Sequence, residues 1–137
     1  MKLLQEKLDR TTLREGESAR LNIAVANKSN EGQGMAIAVI GLPAGMNIPT
    51  DGKQLIDLCR IPTDGSRAKL SQWEVHGREL VLYWRDMAPS ERIELSLDVE
   101  ARVPGIYRGP SSRAYLYYTP EHRIWVEPLK VTINPAS

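Results

Sequence analysis

The sequence lacks several features that would place it in a common functional class. It contains a single cysteine, Cys59, so no disulfide can form within the chain. It contains no phenylalanine, so tyrosine and tryptophan must supply the aromatic part of a core. No apolar run approaches the ~18 residues that a membrane-spanning helix needs, and residues 1–7 are too polar for the apolar core of a signal peptide. We therefore expect the chain to carry neither a signal peptide nor a transmembrane segment.

The charge is almost balanced. The chain has 18 lysine and arginine residues against 17 aspartate and glutamate residues, and both signs are mixed along it. Nucleic-acid binding requires a basic surface that neutralises phosphates, so we expect no nucleic-acid partner. A chain of 137 residues has the length of one domain, residues 1–137. Folding hides roughly 68% of the unfolded surface at this size, so a sizeable core can form.

Alternation of apolar and polar residues predicts most of the secondary structure. In residues 91–102, apolar side chains occupy every second position from Ile93 to Ala101, as in a strand with one face on a core. Residues 18–26 alternate in the same way. Further strands are predicted at residues 35–42, 70–75, 79–84, 113–119 and 123–133. A tight hairpin turn at His76 and Gly77, or a longer loop over residues 75–79, would join two of them. About seven short strands with turns between them predict an all-β fold, an antiparallel β-sandwich.

One short α-helix is predicted in a connection, between about residues 51 and 60. Asp51 can cap its first turn, and Gln54 lies at the spacing of a capping box. Pro62 prevents continuation. Its apolar stripe is formed by Leu55, Leu58 and Cys59.

No set of residues has the composition of a catalytic or metal site. Cys59, with His76 or His122 as its base, would be reactive only in an electropositive and partly exposed setting. Its place on the apolar stripe instead predicts a buried, unreactive thiol. One cysteine and two histidines match no zinc ligand spacing. The candidate acid–base carboxylates fall on the solvated side of one strand: Glu94, Asp98 and Glu100. We therefore expect a protein that is not an enzyme and has no cofactor or metal.

The aromatic residues admit two interpretations. Aromatic rings on one face of a sandwich can bind sugars by stacking, whereas a chain without phenylalanine must also use its rings to fill the core. Packing is the simpler interpretation. A free-standing carbohydrate-binding or adhesive β-sandwich remains the alternative function, and it would use Trp73, Trp84, Trp125, Tyr83 and Tyr107.

Residues 104–133 carry the most informative pattern. Two alternating segments meet at Pro120, which predicts a turn there. The first segment contains Tyr115, Tyr117 and Tyr118, and because successive side chains of a strand point to opposite faces, both faces of this strand need cover.

This region, together with Ile-Gly-Leu-Pro-Ala-Gly-Met at residues 40–46 and Arg-Glu-Leu-Val-Leu-Tyr-Trp-Arg-Asp-Met-Ala-Pro at residues 78–89, resembles one known domain. It is similar to the C-terminal receptor-binding-type macroglobulin domain of bacterial alpha-2-macroglobulins. In that family a strand ends in a Leu-Pro-Xaa-Gly turn, a short helix follows, and a late strand reads Val-Tyr-Xaa-Tyr-Tyr. The resemblance covers residues 21–133 and implies a macroglobulin β-sandwich.

The resemblance also implies a function. Such a domain is a non-catalytic terminal part of a protease-trapping protein and packs against the thioester and macroglobulin domains of the same parent chain. The residues that would shield the thioester from water are Tyr115, Tyr117 and Tyr118. The thioester motif itself, Cys-Xaa-Xaa-Gln, is absent here, because Cys59 is followed by Arg-Ile-Pro. The reactive centre would lie in another domain.

The resemblance further implies where the parent works. The chain would be excised from a much longer, periplasmic or secreted bacterial parent, and the isolated domain would be a monomer. Vertebrate relatives present two lysines on the helix to a clearance receptor. Here Lys53 has Asp57 on its face, where a second cation would be expected. This departure argues against binding to an endocytic receptor.

Overall fold

The computed structural model describes residues 3–27, 32, 34–48, 53–60, 63, 69–85, 87–116 and 119–136. Strands dominate this part of the chain, as predicted. The strands are β1 (Leu3–Leu8), β2 (Thr12–Arg14), β3 (Ser18–Ala26), β4 (Ala36–Gly41), β5 (Met46–Asn47), β6 (Gln72–His76), β7 (Glu79–Trp84), β8 (Arg92–Ala101), β9 (Gly105–Arg108), β10 (Ser112–Leu116), β11 (Thr119–Val126) and β12 (Lys130–Asn134). The helix α1 is Lys53–Leu58.

Two large sheets face each other across one core. The four-stranded sheet has the order β1-β3-β8-β5, and the five-stranded sheet has the order β11-β10-β4-β7-β6. All described pairings within these two sheets are antiparallel. The predicted all-β sandwich with one short helix is therefore confirmed.

A third, three-stranded sheet was not expected from the sequence. Its order is β2-β12-β9, and β2 runs parallel to β12, with Leu13 opposite Ile133. Leu13 and Ile133 are both buried in the common core. The short third sheet therefore extends the sandwich core and is not a separate unit.

Period-2 alternation correctly identified the inner faces of β3 and β8. Leu21 and Leu97 lie opposite each other in the register and are 0% and 1% exposed. The outer positions of the same two strands are polar, for example Asn22 and Ser96, which are hydrogen bonded to each other. Burial of one face and solvation of the other therefore explains the alternation.

The hairpin between β6 and β7 is a two-residue connection. His76 pairs with Glu79, so the turn residues are Gly77 and Arg78, one position later than predicted. Gly77 has a φ of 59°, which suits the first position of a type II′ turn.

Three predictions about residues 113–133 were wrong. The strand that begins near Arg113 ends at Leu116, and Pro120 lies inside β11 and not at a turn. Residues 123–133 belong to two strands, β11 and β12. Pro120 can sit in β11 because β11 is the outermost strand of its sheet, where a missing N–H removes no necessary ladder bond.

The helix lies as predicted, and the side chain of its Gln54 bonds to the neighbouring strand β8. The Gln54 amide donates to the backbone oxygen of Asp98 at 3.0 Å and accepts from the Asp98 N–H at 2.6 Å. Gln54 thus bonds both the carbonyl and the N–H of Asp98, a β8 residue that lies past the end of the short partner strand β5. Asp51 and Pro62 lie outside the described residues. No helix in the described part of the chain has the length and apolar character to cross a bilayer.

Candidate functional site

Tyr115 lies on the outer face of the five-stranded sheet. It is half-buried on β10, between the inward-facing Ala114 and the half-buried Leu116. The guanidinium of Arg123, on the neighbouring strand β11, lies 5.2 Å from the centre of its ring. Tyr117 and Tyr118 lie outside the described residues, so their shielding role stays a prediction.

A second arginine–aromatic pair lies beside the first. Arg113 is opposite Trp125 in the β10–β11 register, and its guanidinium is 5.7 Å from the centre of the indole. The same guanidinium donates to a Glu79 carboxylate oxygen at 3.0 Å. Trp125 is 58% exposed. The outer face of the five-stranded sheet therefore combines a fixed arginine, Arg113, with the largely exposed aromatic ring of Trp125.

The tryptophans do not form a common platform. Trp84 is 2% exposed, and its indole N–H donates to the Lys69 carbonyl at 2.7 Å. Trp73 packs against the core, opposite the buried Leu82. Tyr107 belongs to the third sheet. Among the described tryptophans, only Trp125 is largely exposed, so no stacking pair of exposed tryptophans supports the sugar-binding alternative.

The residues considered for catalysis are not assembled into a site. Cys59 is half-buried at the end of α1, less covered than predicted, and burial raises the pKa of its thiol. This direction disfavours the reactive thiolate. His76 bonds to Glu74 at 2.8 Å, and His122 lies on β11 with a side chain outside the description. Within the described residues, no group of three or more potential ligands could hold a metal ion.

The three candidate acid–base carboxylates are ion-paired with arginines. Glu94 pairs with Arg92, Asp98 with Arg20 and Glu100 with Arg102. All three lie on the outer side of β8, as the alternation predicted. Exposed ion pairs of this kind contribute little to stability. Of the three carboxylates, only Glu94 lines the cavity that β1, β3 and β8 form, so they do not face one another across that cavity as an acid–base pair would.

The three sequence motifs that carry the macroglobulin resemblance lie against one another. The Gly41 N–H donates to Ser112, and Gly41 lies directly beneath the carbonyl of Pro110. Gly45 lies beneath the ring of Tyr107. From the second motif, the Arg78 guanidinium donates to backbone oxygens within residues 44–46, at 2.9 and 3.3 Å. The glycines are required because a side chain at either position would occupy space that the third motif fills.

A buried carboxylate between the sheets was missed by sequence reasoning. Glu6 points inward from β1, between the buried Leu4 and Leu8. Its Oε2 accepts a hydrogen bond of 2.7 Å from Ser112, and its buried Oε1 has no partner among the described residues. Burial raises the pKa of the Glu6 carboxyl from 4.5 to about 7, against the opposing effect of the Ser112 hydrogen bond. A glutamate at an inward position interrupts the alternation of apolar and polar residues in this short N-terminal segment. The sequence pattern therefore did not identify the strand or its buried carboxylate.

This carboxylate predicts a stability that falls as the pH rises. The unfolded carboxyl ionises near pH 4.5, whereas the folded one holds its proton to about pH 7. Between pH 4.5 and about 7 the folded state therefore binds more protons than the unfolded state. The free energy of unfolding should decrease over this range by about 2 kcal/mol, a value reduced for the partial exposure of Glu6. Urea denaturation at several pH values measures this.

Glu6→Gln is the matched control for this prediction. It keeps the shape of the side chain and removes the ionisation. Above pH 7 the variant should be more stable than the wild type. Between pH 4.5 and about 7 its free energy of unfolding should change much less than that of the wild type. Parallel pH profiles for the two proteins would show that Glu6 is not the responsible group.

Solved structures share this fold. No protein-family model and no curated protein matches the sequence. The structure of Salmonella alpha-2-macroglobulin reacted with methylamine has a TM-score of 0.71 at 15% identity and covers 96% of this chain. Native Escherichia coli alpha-2-macroglobulin, from domain MG7 to the C-terminus, gives 0.68 at 18% identity and also 96% coverage. The Jo.In complex of RrgA gives 0.65 at 9% identity and covers 94% of the chain.

The chain therefore has the fold of a macroglobulin-type domain. The resemblance inferred from the motifs is confirmed at the level of fold. This chain spans 9% of the Salmonella alpha-2-macroglobulin structure and 23% of the Escherichia coli fragment. It thus corresponds in size to one domain of those proteins. The similarity to RrgA shows that proteins other than macroglobulins use the same sandwich.

Proposed function

We propose that the chain is a non-catalytic terminal domain of an alpha-2-macroglobulin-like, protease-trapping protein that works outside the cytoplasm. The observation that supports this most strongly is the match of 96% of the chain to bacterial alpha-2-macroglobulin structures. The mutual packing of the three motifs at residues 40–46, 78–89 and 104–133 adds support, because these motifs carried the resemblance. The domain would pack against the thioester domain and hold it closed until a protease cleaves the parent elsewhere.

The shielding surface would be the segment that contains Tyr115, Tyr117 and Tyr118. A tyrosine ring excludes water from an acyl–sulfur bond while its hydroxyl retains a polar partner. Tyr115 supports this role, because it is half-buried on an outer sheet face and is backed by the Arg123 guanidinium. The fold does not need Tyr115 as an inner core residue, so it is available for contact with another domain.

The parent gene provides the first test. It should encode a protein many times longer than this chain, with a Cys-Xaa-Xaa-Gln motif in another domain. A gene that encodes only this domain would contradict the proposal. A long parent without the motif would keep the macroglobulin architecture but exclude the shielding role.

Tyr117→Gly or Tyr118→Gly in that parent should accelerate spontaneous thioester loss at least several-fold, because water would reach the bond. Release of the free thiol over time measures this, and a thermal melt verifies folding. Tyr83→Gly is the control, since it removes a half-buried tyrosine two strands away on the same sheet. Release at the wild-type rate in both lid variants, with folding intact, would exclude these tyrosines as the shield.

A further inference from the structure

The cavity that β1, β3 and β8 form opens on the outer face of the four-stranded sheet and has a volume of about 560 Å³. Ala24 of β3 lies at its floor, and the small side chain leaves a depression between the longer side chains around it. The outward-facing residues that surround Ala24 and line the cavity are polar or charged: Gln5, Lys7, Asn22, Arg92, Glu94 and Ser96. We call these six residues the polar rim.

Two hydrogen bonds within the polar rim occupy its amide oxygens. The Ser96 hydroxyl donates to Asn22 Oδ1 at 2.6 Å, and the Arg92 guanidinium donates to Gln5 Oε1 at 3.2 Å. Because an amide directs its oxygen and its nitrogen to different sides, the N–H groups of Asn22 and Gln5 point away from these donors. They have no acceptor within the described part of the chain. The two amides therefore offer unused donors to a ligand.

Lys7 adds a positive charge to these donors. It lies directly opposite Asn22 in the β1–β3 register and two residues from Gln5 on the same face of β1. Opposite side chains of antiparallel strands have β-carbons about 4.5–5.5 Å apart, so the ammonium and both amides can reach one group between them. The ammonium forms neither an ion pair nor a hydrogen bond with any residue that the structure describes. Lys7 is thus available to an anion.

The other described charges of the cavity are compensated. Arg92 lies 2.7 Å from the Glu94 carboxylate. Glu6 also lines the cavity, but its carboxyl accepts a hydrogen bond from Ser112 and holds its proton to about pH 7. A carboxylate complements the remaining single charge and two amides, because it carries one negative charge and accepts several hydrogen bonds. A phosphate dianion would leave one negative charge uncompensated.

We propose that this cavity binds a small organic acid, whose carboxylate accepts hydrogen bonds from Lys7, Asn22 and Gln5. Ala24 and Val126 of β11 also line the cavity and would contact the apolar part of the ligand. The volume of about 560 Å³ lies within the range of about 300–1,000 Å³ that small-molecule sites occupy. This binding site does not depend on the proposed function, since the ligand would contact only this chain.

An NMR titration of the isotope-labelled chain with sodium butyrate tests the proposal. Sodium chloride keeps the ionic strength constant, and a pH below 7 keeps the Glu6 carboxyl mostly protonated. The side-chain amide signals of Asn22 and Gln5 should move along one saturating curve, with a Kd on the order of 1 mM for a ligand of so few atoms. Gln54 is the internal reference, because its amide already bonds to Asp98 at both ends. Shifts that do not saturate would overturn the proposal.

Lys7→Met should weaken the binding of butyrate at least about tenfold, because it removes the charge and keeps the length of the side chain. Lys130→Met is the matched control. Lys130 is exposed on β12 of the third sheet, so this variant loses the same charge at a distant place. It should bind butyrate within about twofold of the wild type. Equal weakening in both variants would indicate a general charge effect and overturn the site.

Asn22→Asp tests the amide independently. The carboxylate has the shape of the amide, lacks its donors and would pair with Lys7, so butyrate binding should again weaken at least about tenfold. A thermal melt verifies that each variant is folded. Unchanged butyrate binding in either folded rim variant would overturn the site. Tighter binding of inorganic phosphate than of butyrate to the wild type would overturn the assignment to a carboxylate.

Discussion

Gly41→Ala should lower the free energy of unfolding by about 3 kcal/mol. A β-carbon at this position would overlap the carbonyl oxygen of Pro110 and lie 2.7 Å from its carbonyl carbon. Both are backbone atoms, so they cannot rotate away as a flexible side chain could. Relief would require residues 109–111 to move, and this would also disturb the hydrogen bond of 2.9 Å from the Gly41 N–H to Ser112.

Gly34→Ala is the matched control for Gly41→Ala. A β-carbon at Gly34 would meet no atom of the described residues within 4 Å, and Gly34 does not have a positive φ. The change should therefore stay within about half a kcal/mol of the wild type. Urea denaturation midpoints of the two variants provide the measurement. Equal midpoints would contradict the close approach of the two motifs.

Leu97→Ala should cost about 2 to 5 kcal/mol, the range for a large-to-small change in a core. Leu97 is 1% exposed on the inner face of β8, opposite the fully buried Leu21 of β3. The variant loses the transfer free energy of the removed groups, and the packed sheets can close the resulting cavity only in part. Urea denaturation measures this loss from the shift in midpoint, when the slope of the free energy of unfolding against urea concentration is unchanged.

Ser96→Ala tests whether the assignment of faces explains the cost at Leu97. Ser96 is the preceding residue and points outward, where its hydroxyl donates to the Asn22 amide oxygen at 2.6 Å. This exposed bond exchanges readily with water, so its loss should cost about half a kcal/mol or less. Similar midpoint shifts for both variants would mean that β8 faces the core with its other side.

The sequence predicted best those strands whose faces differ in polarity. The predicted bounds of β3 and β7 agree with the structure to the residue, and β8 differs by one residue at each end. In β8 and the first half of β3 the core covers one face and water or polar groups reach the other, so burial imposes a period of two on the sequence itself, whereas the outer positions of β7 include Val81 and Tyr83. The helix was identifiable for a similar local reason, since Leu55 is buried and Ile56 is exposed.

The exposure of Trp125 could be assigned only from the pairing of strands. Trp125 and Trp84 are the same residue type and both lie near the end of a strand, yet one is 58% and the other 2% exposed. Which side of β11 faces outward depends on its register with β10, and this register contains an irregularity between Ala114 and Leu116. The register changes by three residues there, from Ala114 opposite Ile124 to Leu116 opposite Thr119, and a shift by an odd number of residues exchanges the two faces of a strand.

Local sequence thus determined the all-β class, the short helix, the hairpin at Gly77 and the inner faces of the central strands. The tertiary structure alone decided that residues 3–8 form a strand, because Glu6 occupies an inward position that the pattern reserves for an apolar residue and is accommodated only by Ser112. It alone decided the third sheet and the fit of Gly41 beneath Pro110. These features depend on contacts between residues 22 to 120 positions apart, and the alternation of neighbouring residues carries no information about such contacts.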